Sequence, residues 1–173
     1  ICNSGKQCLD GENITINNCS LKIGSAIKAI NKNVTNPGFN AFTANLTEGS
    51  NNWSIVCKYN NLSETSEKRA ITADTIDPTI VLFFPLNNSQ VNSSSAEINF
   101  VALDNIAQSI NCEITLNSSI FQSIIAINSE PATATLSELE TGDYTFSIKC
   151  YDNVNNSETT ETRAFRIQAP PVQ

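Results

Sequence analysis

The chain has 173 residues, 40% of them hydrophobic and only 16% charged, with a net charge of −7. That is room for one ordinary domain or two small ones with packed cores, and it excludes a disordered chain. The ten Lys and Arg are scattered singly, so no basic stripe is present to hold nucleic acid or an anionic lipid surface.

The polarity comes from Asn, Ser and Thr, while Ile and Val lie in short segments instead of helical stripes, which favours strands. The chain opens on Ile1 and contains no Met, so Ile1 reads as a processed terminus or a cut within a longer chain. No apolar stretch approaches the roughly 18 residues of a spanning helix, and no leader is visible. Direct membrane insertion by this segment is therefore not expected.

Six cysteines follow, at Cys2, Cys8, Cys19, Cys57, Cys112 and Cys150. Cys19 to Cys57 and Cys112 to Cys150 are both separated by 38 residues, and equal spacing implies one bond made twice. Cys2 and Cys8 remain as a third pair around "CNSGKQC", where Gly5 helps the turn. A zinc site would need close ligand pairs or His, and the chain has neither. Three disulfides place the protein outside the reducing cytosol.

The bond spacing belongs to a larger repeat. "SIVCKYNNLSET", Ser54 to Thr65, returns as "SIKCYDNVNNSET", Ser147 to Thr159. A shift of 93 puts Cys19 on Cys112, Gly49 on Gly142, Trp53 on Phe146, Ile55 on Ile148 and Cys57 on Cys150. After one inserted residue, Arg69 and Ala70 fall on Arg163 and Ala164. The reading is a first module over 1–73, a linker over 74–78 ("DTIDP"), a second module over 79–168 and a Pro-rich tail over 169–173. Pro78 cannot donate to a sheet and pushes Asp77 toward extended backbone, as a joint requires.

In the second module, strands are expected over Thr79 to Pro85, Ala96 to Leu103, Ile110 to Asn117, Ile120 to Ile127, Ala132 to Leu136, Tyr144 to Asp152 and Arg163 to Ile167. "NNSQVNSSS" reads as a loop and Asp104-Asn105 as a turn. Ile110, Cys112, Ile114 and Leu116 alternate with polar residues, as do Phe146, Ile148 and Cys150, the period-two signature of a half-buried strand. Seven short strands in about 90 residues define an all-β fold of two tandem immunoglobulin-like (fibronectin-III/Ig-like) β-sandwich modules. Cys112 and Cys150 then sit on neighbouring strands of one sheet, at an inward, non-hydrogen-bonded pair.

The run "DPTIVLFFPLNNSQVNSSSAEINFVALDN", with "INCEITLN" and "GDYTFSIKCYDNVNNSET", resembles the Ig-like repeats found in series in prokaryotic, especially archaeal, cell-surface proteins. It covers Asp77 to about Ile167 well and Leu9 to Ala73 in part. The resemblance implies an extracellular surface-layer, filament or adhesive protein. Related repeats can place a calcium ion at a module joint, for which Asp77, Asp104 and Asp152 at strand ends are the candidates, but the favoured reading of each is a turn residue bonding its own backbone, with no metal.

The first copy departs from this pattern. Leu9-Asp10 matches Leu103-Asp104, so Cys2 to Leu9 would be its second strand, and the opening strand has no counterpart. Such a sandwich would show an open edge and a slot in its core. Either the first module is smaller or cut from a longer chain, or a strand donated by another subunit fills the slot and links subunits into a filament.

Ten Asn-x-Ser/Thr sites occur, at Asn13, Asn18, Asn33, Asn45, Asn52, Asn61, Asn87, Asn92, Asn117 and Asn155. With 24 Asn, chance gives roughly five, so N-linked glycans are expected on part of them. Enzyme chemistry finds no support: without His there is no triad or imidazole base, paired cysteines leave no thiol nucleophile, and six Gly build no phosphate loop. Glu138 and Glu140 precede a turn glycine and read as solvated, while Trp53, aligned with Phe146, reads as core and not as a sugar platform. The expectation is a non-enzymatic surface protein that partners itself or other surface subunits, with a glycan as the remaining ligand class. An adhesin or receptor stalk whose binding domain lies elsewhere is the alternative, and an accessory module of a polysaccharide-acting enzyme the third.

Overall fold

The computed structural model describes residues 16–35 and 38–168. Contacts divide the chain between Ala73 and Asp74 into two compact units. The described residues form fourteen strands and no helix, hence none long and apolar enough to cross a membrane.

The described residues of the first unit form one antiparallel sheet, so the second sheet of the sandwich expected there is not among them. The strands are β1 (Ile16–Ile23), β2 (Ala26–Asn31), β3 (Gly49–Tyr59), β4 (Leu62–Thr65) and β5 (Arg69–Ala73). They run in the order β2-β1-β3-β4, and β5 takes the other half of the long β3. Gly24 turns the chain between β1 and β2 with φ of 60°, a conformation that costs glycine little, and its amide donates to the Asn52 carbonyl. Pairing of β1 with β3 sets Cys19 opposite Cys57, Leu21 opposite Ile55 and Ile23 opposite Trp53, so period-two alternation places all six on one face.

The second unit comprises β6 (Thr79–Phe84), β7 (Ser89–Val91), β8 (Ala96–Leu103), β9 (Ser109–Leu116), β10 (Ser119–Ile127), β11 (Pro131–Leu136), β12 (Gly142–Tyr151), β13 (Ser157–Thr159) and β14 (Arg163–Ile167). One sheet is ordered β11-β8-β6 and the other β10-β9-β12-β14-β7, with β13 on the edge of β12. Between them Ile98, Phe100, Ile110, Ile114, Leu136, Phe146, Ile148, Phe165 and Ile167 are fully or almost fully buried. At about 1.5–3 kcal/mol per buried large apolar side chain, this layer is the main source of stability. Phe165 ties it together, stacking on Tyr144 at 5.5 Å and meeting Phe146 edge-on at 5.9 Å.

Two expectations need correction. "NNSQVNSSS" is not all loop: Ser89–Val91 form β7, which pairs parallel with β14. The opening strand thus starts against β8 as β6 and crosses to the other sheet as β7, which, with β13, raises the strand count of this unit to nine. Residues 74–78 are not a free linker but belong to the second unit. There the Asp74 carbonyl accepts from Asn156 Nδ2 (3.3 Å), the Asp77 carboxylate accepts from the Ser157 amide (3.0 Å), and Pro78 is buried. The expected Cys2–Cys8 pair, the strand over 2–9, the site at Asn13 and the tail over 169–173 lie outside the described residues.

Candidate functional site

The only concentration of chemistry-bearing groups among the described residues lies at one end of the second unit, where β6 begins, β8 ends, β9 begins and β12 ends. Asp104 follows β8, and its Oδ1 accepts the amides of Ile106 (2.8 Å) and Ala107 (2.6 Å). Asn128 fixes that turn from outside: its Oδ1 accepts the Asp104 amide, and its Nδ2 donates to the carbonyls of Asp104 and Ala107. Asp104 Oδ2 is buried and has no hydrogen-bond partner.

Asp152 follows β12 and is only 6% exposed. Its Oδ1 accepts the amides of Val154 and Asn156, both at 2.8 Å, and its Oδ2 accepts Asn156 Nδ2 at 2.6 Å. The same Asn156 amide reaches the Asp74 carbonyl, so one side chain joins the segment before β6 to the turn after β12. One carboxylate oxygen from each of Asp74, Asp104 and Asp152 lies within 4.8 Å of the others.

This arrangement changes the expected calcium set. Asp104 and Asp152 come together as anticipated, but Asp77 is not in the cluster: its carboxylate is occupied by the Ser157 amide, and Asp74 takes the third position. Asp77 stands next to the buried Pro78, while Asp74 lies a few residues further out along the segment, where it meets the turns. No nearby spacing in the sequence signals that choice. The donor set is all oxygen, suited to hard cations and not to thiophilic or imidazole-seeking metals. Asp104 and Asp152 take part in none of the ion pairs among the described residues, which join Arg69 to Glu67, Arg163 to Glu161 and Arg166 to Asp143.

The other candidate residues are dispersed. Both 38-residue cysteine pairs are bonded, Cys19 to Cys57 and Cys112 to Cys150. Each spans directly opposed residues of adjacent strands, with Cα atoms 4.0 Å apart, so the bonds staple strands within one sheet and do not tie two sheets together. Asn33, Asn45, Asn52, Asn61, Asn87, Asn92, Asn117 and Asn155 are exposed, and Asn18 is half-buried. Asn87 and Asn117 use Oδ1 to accept the amides of Ala164 and Thr145, which leaves Nδ2, the atom that carries a glycan, outside those bonds. Glu138 and Glu140 are exposed on the β11–β12 connection.

Trp53 shares the face of Cys57 but is only half-buried, with the Arg69 guanidinium 6.0 Å from its ring centroid; the core position expected from Phe146 is not reproduced. Two open grooves of about 390 and 360 Å³ occur, one beside Phe84, Val91 and Asn99, the other beside Ile23, Lys28 and Asn51. Neither collects a nucleophile with a base.

No family model matches the chain, and no curated protein sequence matches it. Solved structures give fold likeness alone. The fibronectin(III)-like modules of Clostridium thermocellum CbhA are 15% identical, cover 92% of this chain and 81% of their own, and give a TM-score of 0.45. The PKD domain of an M14-like peptidase from a Thermoplasmatales archaeon is 14% identical over 55% of this chain and 94% of its own, with a TM-score of 0.36. The CARDB domain of a Pyrococcus furiosus protein, solved in complex with di-metal ions, is 16% identical over 54% and 94%, with a TM-score of 0.35. The class that the described residues define is an all-β chain, with a two-sheet β-sandwich in the second unit and one antiparallel sheet in the first.

Proposed function

We propose that this chain is a segment of a non-enzymatic, extracellular structural protein of the cell surface, part of a surface layer or filament. Its subunits join when a strand from one copy, or from another surface protein, completes the first unit of the next. The observation that carries this reading is the stripe Leu21, Ile23, Trp53 and Ile55. All four are half-buried, whereas Ile114, Phe146 and Ile148, the equivalents of Leu21, Trp53 and Ile55, are covered by a facing sheet; Leu116, the equivalent of Ile23, is half-buried as well. A strand added beside β5 gains main-chain hydrogen bonds at the sheet edge, and the chain leading to it covers the stripe by crossing the face of the central strands β1 and β3.

Two disulfides support an oxidising, extracellular setting, and the exposed sequons support a glycosylated surface. Cryo-electron microscopy of native surface material is the test. A regular array with an outside strand seated on the first unit is the expected result. Isolated flexible rods would make the chain a stalk, and a first unit closed by its own residues would remove strand donation.

A further inference from the structure

We infer that the β10 edge of the second unit is a contact between two copies of this chain, whose β10 strands pair antiparallel about Ile125 into one continuous sheet. Strand β10 has nine residues, none of them charged, and among the described residues it pairs with β9 alone, so one row of its main-chain groups faces outward. The disulfide beside it tells which row. Cys112 and Cys150, with Cα atoms 4.0 Å apart, are a non-hydrogen-bonded pair, so the Cys112 main chain bonds toward its other partner, Ile124 of β10. Alternation then turns the N–H and C=O groups of Ser123, Ile125 and Ile127 to the open side; the Ile127 carbonyl also takes the Glu130 amide. Their side chains lie on the outer face of the sheet, where Ile125 is 73% and Ile127 58% exposed.

The edge selects a second copy as its occupant. The regular stretch Ser123–Ile127 is its own complement, since a two-fold axis at Ile125 sets Ile125 on Ile125 and Ser123 opposite Ile127 of the other copy. A register shift between Ile120 and Gln122 confines pairing to this stretch. The other edges of the described sheets are guarded: β2 carries Lys28, β4 Glu64, β5 Arg69 and β13 Glu158, β11 begins with Pro131, β7 is three residues long, and β6 leaves its sheet after Phe84. Charge favours the same contact. A net charge of −7 sets copies against one another, and an uncharged edge lets them approach with little repulsion; Glu113, opposite Ser123, is matched by Lys149 on β12. No Asn-x-Ser/Thr site lies on β8, β9, β10, β11 or β12, so a glycan would not stand on this sheet face. Pairing of so short a stretch buries less than the roughly 1,200 Å² of a stable interface, so the dimer is weak and gains strength where many copies lie side by side. The contact stands apart from the strand donation proposed above, since it uses the second unit alone.

The test is sedimentation velocity of the whole disulfide-intact chain from about 5 to about 500 μM, with amide hydrogen exchange at both ends of that range. The expected result is a monomer–dimer equilibrium with a dissociation constant of about 10⁻⁵–10⁻⁴ M, and exchange of the Ser123 and Ile125 amides slowed about tenfold or more in the dimer. Ile125→Lys gives β10 the guard that other edges carry and sets two like charges face to face at the axis; it weakens the dimer at least about tenfold. Val81→Lys, at a 43% exposed position of the other sheet, changes it by less than about twofold. Exchange in the unaltered chain keeps the test decisive should the Ile125 variant not fold. A chain that stays monomeric throughout, a dimer that Ile125→Lys leaves intact, as strand donation alone would give, equal effects of the Ile125 and Val81 variants, or β10 amides left unprotected in the dimer would each overturn the assignment.

Discussion

Among the described residues, the two units carry the same sheet and differ in what lies across from it. Strands β1, β3 and β5 of the first unit correspond to β9, β12 and β14 of the second, and in both the cysteines, an aliphatic pair and an aliphatic–aromatic pair face each other in register. In the second unit β11, β8 and β6 form a sheet over that face, and Ile114, Ile148 and Phe146 are at most 1% exposed. Residues 38–47, the counterpart of the stretch around β11, form no strand, and Ile55, Leu21 and Trp53 are half-buried. A sheet's apolar pattern therefore marks where a core can form, and the facing layer decides whether it does.

That difference is open to measurement. Phe146→Ala is expected to cost about 3–5 kcal/mol, against about 1 kcal/mol for Trp53→Ala, read from urea denaturation followed by circular dichroism. Equal losses would mean that the Trp53 face is covered as fully as its twin, and the contrast would fall. Replacing Cys112 and Cys150 together by Ala should remove about 3–4 kcal/mol of loop-closure stabilisation from the second unit. Because Trp53 is the sole tryptophan, its fluorescence should barely register that loss while circular dichroism does; a matching shift in both signals would show that the units unfold together.

Finer probes sharpen the same contrast. Ile148→Val should cost about 0.5–1.5 kcal/mol and Ile55→Val less than half as much, since only the former leaves a sealed cavity. At the small end, Asp143→Asn breaks an exposed pair with Arg166 whose side chains are 75% and 51% exposed. Less than about 1 kcal/mol should follow. A larger loss would show that the rim of the sandwich, and not only its centre, sets the second unit apart.

Much of this architecture was legible because its signals are local or strictly repeated. Alternation in "INCEITL" and "AEINFVAL" marks β9 and β8 to within a residue, and the shift of 93, then 94, maps sheet onto sheet down to Arg69 and Arg163. What escaped depends on distant partners. β7 is three residues, Ser-Gln-Val, and is a strand only because β14 lies beside it. Trp53 occupies the inward position that its alignment indicates, yet inwardness does not supply cover. Asp104 and Asp152 were visible as strand-end aspartates, but the choice of Asp74 over Asp77 arises from how the entering segment crosses two turns that are 30 and 78 residues away. The repeat cannot reveal it, since a site built once has no second copy to align.

The in-register staples also carry a mechanical consequence. When a chain is drawn out from its two ends, residues enclosed by a cross-strand disulfide cannot join the extended contour. Each bond encloses a separation of 38 residues, so at about 3.4 Å per residue it withholds about 130 Å of length. Even with its strands peeled apart, each unit would lengthen only through the residues outside its bond, and a thread of such units would stay short under tension.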